Sequence, residues 1–274
     1  MQTFHRLLSS VTRAAIPAVV LLALTKTALA VDLRAETIEA FNTFIAAVEM
    51  RLEPRFKGQH FLWLDEFPAL RQQLLSGMVI AQPAQGNGIV PLKGGLVQDW
   101  RGAIFISHSN LHDVLSIAQD FDRHQDYYKP DVASAKIESR QGDDFLVFMR
   151  IVKTKFMLSD VLNTEQNIQF IHLDPQRVYS RAYSKRISEV AAPGRSGEHE
   201  LAPGHDRGLL WRLYGYWFYE ERDEGVYIAC ESITLTRDIP FGMVTLLGPI
   251  IHDLPGESLR KSLEQTRKAV LALH

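Results

Sequence analysis

The feature that most constrains this chain is the stretch from Leu209 to Leu273, where two aromatic-rich strand candidates lead into one long amphipathic helix. Leu209 to Tyr219 carries Trp211, Tyr214, Tyr216, Trp217, Phe218 and Tyr219, the residue types that strands favour. A polar, Gly-ended turn over Glu220 to Gly225 is expected, and Val226 to Thr236 then returns as a second strand. Beyond Pro240, Leu259, Leu263, Thr266, Val270 and Leu273 fall on one narrow face at a 3.6-residue period. Curved antiparallel strands followed by a terminal helix predict an α+β fold in which the sheet grips the helix.

The first 30 residues are set apart from the fold. Arg6 and Arg13 precede an apolar run from Ala14 to Leu24, and Ala28-Leu29-Ala30 supplies a small-residue cleavage pattern. The apolar run falls short of the roughly 20 residues that cross a bilayer, so export to the periplasm or medium is expected rather than anchoring. Those residues take three of the 30 basic groups and none of the 32 acidic ones, which leaves 27 against 32, a net of −5. That balance argues against nucleic acid and against electrostatic docking on anionic lipid. Cys230 is the only cysteine, so an intramolecular disulfide is excluded, and its apolar strand neighbours mark it as a core residue.

Residues 31–94 read as an N-terminal helical extension, packed on the main domain or folded apart. Ala35 to Leu52 is a helix with Ile38, Phe41, Ile45, Val48 and Leu52 on one face; Phe67 to Leu75 is a second. Pro83 to Gly95 reads as a loop. The main domain, 95–274, opens on a strand at Leu96 to Ile106. Asn110 caps a helix over Leu111 to Asp120, followed by a short helical segment from Phe121 to Tyr128. Strands are predicted over Phe145 to Val152, Lys155 to Ile171 and Arg177 to Val190. In the last of these Val178, Ser180, Ala182, Ser184, Arg186 and Ser188 share one face, a small, hydroxylated surface suited to a cavity wall or to solvent.

This order and its local words resemble the START-like superfamily, the polyketide cyclase/dehydrase and lipid transport (SRPBCC) group with the helix-grip fold. The words are Asp99-Trp100-Arg101-Gly102, Gln119 to His124 through Tyr127 to Pro130, Gly225-Val226-Tyr227 through Glu231, Leu235 to Pro240, and Leu254 to Leu259. The resemblance covers about residues 96–273 and leaves the extension without a counterpart. It implies a hydrophobic cavity between sheet and terminal helix, and no shared catalytic set.

The residues expected at such a cavity are Phe121, Tyr128, Phe148, Arg150, Trp211, Arg212, Tyr214, Tyr216, Glu231, Leu259, Leu263 and Thr266. Tyr and Trp join an apolar body to a hydrogen-bonding tip, which suits an amphipathic ligand. Arg212 and Glu231 are symmetric about the turn and are expected to pair across the hairpin, on the solvent face or as an inward acid/base couple. His108 and His112 lack a zincin pattern, and Asp120, Asp122, His124 and Asp126 read as a solvated helix face. No nucleophile elbow, P-loop or dinucleotide fingerprint occurs, so no metal, cofactor or catalytic residue is assigned. Apolar Phe241 to Ile251 either packs on the extension or forms a flap that touches membrane transiently.

The reading that follows is an exported protein that binds or shuttles a hydrophobic small molecule of the lipid or isoprenoid class. A cyclase/dehydrase-type enzyme using the same cavity is the alternative. An envelope interaction protein whose cavity is closed by its own side chains is a third.

Overall fold

A computed structural model describes residues 33–58, 60–155, 158–202, 205–238 and 244–274, with the side chains of 154–159 and 239–253 outside the description. The leader over 1–30 and the linker over 239–243 lie outside the described residues.

Helix α1 (Ala35–Leu52) forms where the sequence places its stripe, and Thr37, Phe41, Ile45, Val48 and Leu52 are buried. Two 3₁₀ turns, Glu53–Phe56 and Trp63–Glu66, lead to α2 (Pro68–Leu75). Strands β1 (Ile80–Pro83) and β2 (Ile89–Leu92) follow. Both pair with β3 (Gly95–Ser107), so the Gly/Pro-rich stretch expected to be a loop holds a strand and a tight turn into β3.

Helix α3 (Leu111–Ala118) starts at Asn110, whose side chain accepts from the Asp113 amide at 2.9 Å. A 3₁₀ turn and the short α4 (His124–Tyr127) come next. Five strands then run antiparallel: β4 (Val132–Gln141), absent from the sequence expectation, β5 (Asp144–Lys155), β6 (Leu158–Asp174), β7 (Arg177–Ala191) and the two-residue β8 (His199–Glu200). The hairpin β9 (Arg212–Arg222) and β10 (Gly225–Thr236) precede α5 (Val244–Leu271). Among the described residues the sheet has ten strands, ordered β1-β3-β10-β9-β7-β6-β5-β4, with β2 beside β3 and β8 beside β7. At the β4 end, backbone amides of Ala135 and Ile137 donate to the Gln125 and Asp122 side chains at 2.9 and 2.7 Å.

Two local details correct the expected register. The β9–β10 turn is the pair Asp223-Glu224, both with φ of +58°, the left-handed geometry of a tight hairpin. Glu220, Glu221 and Arg222 therefore stay in the strand, where Arg222 meets Asp65 at 2.5 Å and Glu221 accepts from the Leu111 amide at 2.7 Å. With Gly225 opposite Arg222, Glu231 lies opposite Tyr216, and Arg212 lies opposite Leu235. The expected Arg212–Glu231 pair does not form. On β7 a bulge between Ser184 and Arg186 reverses the alternation: Arg186 pairs in register with Glu165, and Arg186 and Ser188 leave the face of Ser180, Ala182 and Ser184.

Each sheet face carries its own core. On one, Ile104, Ile106, Val178, Ala182, Tyr219, Ile228 and Cys230 pack with α3, Phe121 and the Leu259, Leu263 and Val270 side chains of α5. On the other, Tyr179, Tyr216, Phe218, Tyr227, Ile233 and Leu235 pack with Phe41, Ile45, Val48 and Leu52 of α1 and with Phe61 to Leu64. Burying each of these α1 side chains contributes about 1.5–3 kcal/mol, which holds the extension on the sheet.

Candidate functional site

Helix α5 is attached to both rims of the curved sheet. On the β3 side it comes so near that a Cβ on Gly102 would stand 2.7 Å from Leu263 Cδ1 and 3.0 Å from Leu259. On the β4–β5 side, Lys153 reaches Asp131 at 3.0 Å and Ser258 at 3.3 Å, and Lys261 also pairs with Asp131. Farther along, the Tyr128 hydroxyl meets Thr266 Oγ1 at 3.0 Å, and Gln265 donates to the Lys129 carbonyl.

Between those rims, within the apolar face that meets the helix, one patch of the sheet forms a floor of small and polar side chains. Ser180, Ala182 and Ser184 of β7 lie beside Gly215 of β9 and in register with Phe170, Ile168 and Gln166 of β6. Around that floor Met149, Ile151, Leu213 and Trp217 are only half-buried, although they come from interior strands. The floor's polar groups are bonded among themselves. Ser184 Oγ accepts from the Leu213 amide at 3.0 Å, Thr164 donates to the Met149 carbonyl at 3.2 Å, and Gln166 donates to Thr164 at 3.3 Å.

Five residues expected at the cavity stand on this side. They are Phe121, whose ring is 5.2 Å from that of Phe145, Tyr128, and Leu259, Leu263 and Thr266 of α5. The other seven do not. Tyr214 packs its ring 5.3 Å from Phe41 of α1, and Tyr216 donates to Glu49 at 3.2 Å. Trp211 belongs to the same core and bonds Asp206, while Arg212 donates to the Trp211 carbonyl. Phe148 and Arg150 lie in register with Glu165 and Asn163 on the face away from α5, and Arg150 pairs with Glu198 at 2.9 Å. Both faces of β9 are apolar, so alternation alone could not say which one the final helix covers.

Glu231, the seventh, is 2 % exposed beneath α1. Arg51 of α1 grips both its oxygens, one at 3.2 Å, and Arg101 of β3 donates at 2.9 Å. Burial opposes its ionisation, but the Arg51 hydrogen bond and the charges of Arg101 and Arg51 outweigh burial and hold the carboxyl below its usual range. Neighbouring Asp99 shifts the other way, pushed up to about 7 by burial and then by the Glu231 charge. The cluster is a buried structural clamp between extension and sheet. A groove of about 390 Å³ opens farther along that face, lined by Ser139, Asn167, Gln169, Arg181 and Tyr183, with Arg181 already bonded to Gln169.

His124, expected on a solvated face, is 8 % exposed, with ring centroids 4.8 Å from Phe121 and 4.9 Å from Tyr128. Burial lowers its pKa to about 4, against the backbone acceptors of Ile117 and Ala118, which favour the protonated ring. Its acidic neighbours dominated the composition, but Phe121, His124 and Tyr128 at steps of three and four mark a common inward face. Among the described residues no group of three His, Cys, Asp or Glu is placed to hold a metal ion.

No family model and no curated sequence matches the chain. Among solved structures, a protein from Thermus thermophilus is similar at 17 % identity, covering 63 % of this chain and 97 % of its own, with a TM-score of 0.46. A STAR-related lipid transfer protein from Xanthomonas axonopodis is similar at 14 % identity, over 67 % of this chain and 98 % of its own, with a TM-score of 0.43. The Zhui aromatase/cyclase from a Streptomyces species stands at 12 %, 65 %, 93 % and 0.38. Likeness at this level says nothing of ligand or reaction. The strand order, the curved antiparallel sheet and the terminal helix held between its rims give the chain a helix-grip fold.

Proposed function

We propose that the chain binds a small hydrophobic or amphipathic molecule, of the lipid or isoprenoid class, between α5 and the floor of Ser180, Ala182, Ser184 and Gly215. The observation that carries this reading is that α5 is tied at both rims while the floor beneath it lacks bulk. A core built only for packing fills such a span with large side chains. A floor of satisfied hydroxyls and an apolar surround offers instead a cavity that takes an apolar body without leaving polar groups unpaired.

The leader over residues 1–30 supports export, with the molecule carried or held outside the cytoplasm; N-terminal sequencing of protein from an exporting host should begin near residue 31. The enzymatic alternative named Glu231 or an inward Arg beside a Tyr as its machinery. Glu231 lies under α1, bonded to Arg51 and Arg101, and Arg212 does not face it, so the couple on which that reading leaned is not formed.

Native mass spectrometry and organic extraction of protein from its own host test the binding reading. A stoichiometric apolar adduct is expected, and Ser184→Leu should lose it while still folding. A ligand-free protein that also fails to take up any of a panel of apolar dyes would sink the proposal.

A further inference from the structure

The polar groups that face α5 are nearly all paired internally, and the exceptions are informative. Among the described residues, two buried side-chain nitrogens on this side lack a partner: Trp100 Nε1 and His124 Nε2. Trp100 Nε1 is turned toward the β1–β2 connection, since a Cβ on Gly88 would stand 2.9 Å from it. His124 is different. Burial keeps the ring neutral, the Ile117 and Ala118 backbone at the end of α3 favours its one proton, and Nε2 is left buried without a partner, in the position of an acceptor. The ring lies among Phe121 and Tyr128, and Tyr128 is tied to Thr266 of α5, so this unpartnered nitrogen sits in the core on the side of the helix.

A buried acceptor with no donor is costly to keep, and natural structures seldom keep one without a use. Tyr128 cannot satisfy it, because its hydroxyl bonds Thr266 Oγ1, which itself donates to the Ser262 carbonyl. We infer that His124 Nε2 accepts a hydrogen bond from the bound molecule, and that this molecule is an uncharged apolar compound bearing a hydroxyl group. A carboxylate or phosphate would bring an acceptor against an acceptor, and the cations of this side, Lys153, Lys261 and Arg123, are already paired with Asp131, Asp120 and Asp126. The inference rests on the proposed cavity and names the chemistry of what it holds.

The test uses the full chain with dodecanol, its methyl ether and dodecanoate, each followed by displacement of a fluorescent apolar dye. Wild type should bind the alcohol about tenfold more tightly than the ether, the worth of one buried hydrogen bond. It should bind dodecanoate no better than the ether. In His124→Phe, which keeps a ring of similar size, alcohol and ether should bind alike. Equal affinity for alcohol and ether in wild type would overturn this assignment and leave the cavity standing. If none of the three displaces the dye, and no dye binds, the cavity itself fails and this inference with it. Should His124→Phe not fold, ¹⁵N spectra of wild type decide: the His124 Nε2 resonance should move with dodecanol and not with the ether, and an unmoved resonance would refute the contact.

Discussion

Arg51 and Glu231 stand 180 residues apart in sequence and meet in a two-pronged ion pair beneath α1. Arg51 is partly open to solvent and Glu231 is not, so the two ends of the pair are not equivalent. Glu231→Gln leaves Arg51 and the buried Arg101 without their shared carboxylate and should cost about 3 kcal/mol in urea unfolding. Arg51→Ala leaves Arg101 on Glu231 and should cost about 1–2 kcal/mol. An equal loss from both would show that the buried carboxylate is not the organising charge.

Removing the extension tests whether it is a domain in its own right. A chain beginning at Val79 would uncover Tyr179, Tyr216, Phe218 and Ile233, now packed against α1 and residues 61–64. It should aggregate where the intact chain does not. A soluble, cooperatively melting product would place 33–78 outside the fold.

His124 and Asp99 pull the pH dependence of stability in opposite directions. The His124 pKa falls from 6.5 to about 4 on folding, so its contribution is complete above pH 6.5 and is lost as pH drops toward 4. The full span is about 3 kcal/mol. The Asp99 pKa rises from 3.8 to about 7, so its contribution is complete below pH 3.8 and is lost as pH climbs toward 7. Wild type should therefore vary little between pH 4 and 6.5. His124→Phe should lose stability as pH rises through that window, and Asp99→Asn should gain it. Denaturant midpoints at pH 4, 5 and 6.5 for the three proteins check both signs.

Gly102 sets how near α5 can lie to β3. Gly102→Val would drive methyl groups into Leu259 and Leu263 and should cost about 2–3 kcal/mol. Faster proteolysis within residues 255–271 than in the β9–β10 hairpin would locate the damage at the helix.

The sequence disclosed its periodic elements well and their partners poorly. Helix α1 ran from Ala35 to Leu52 as its stripe required, and Asn110 capped α3 as its side chain allowed. Such features depend on neighbours within a turn. The hairpin register depended on whether Glu220 to Arg222 were turn or strand, and that was settled by Asp65 and Leu111, more than a hundred residues away. The same holds for Tyr214 and Tyr216: aromatic periodicity marks a face for burial without naming its cover. Apolar stripes on both α1 and α5 signalled two covers, and the extension took the aromatic face that had been assigned to a ligand.

The Asp122 and Gln125 side chains that accept from β4 have a consequence for assembly. They occupy the hydrogen-bonding positions an incoming strand would need, so another copy could add at that margin only by first displacing both. At the opposite margin β1 and β2 offer only four residues each. A wide sheet of this kind is thus protected from edge-to-edge polymerisation by two side chains at one end and by brevity at the other.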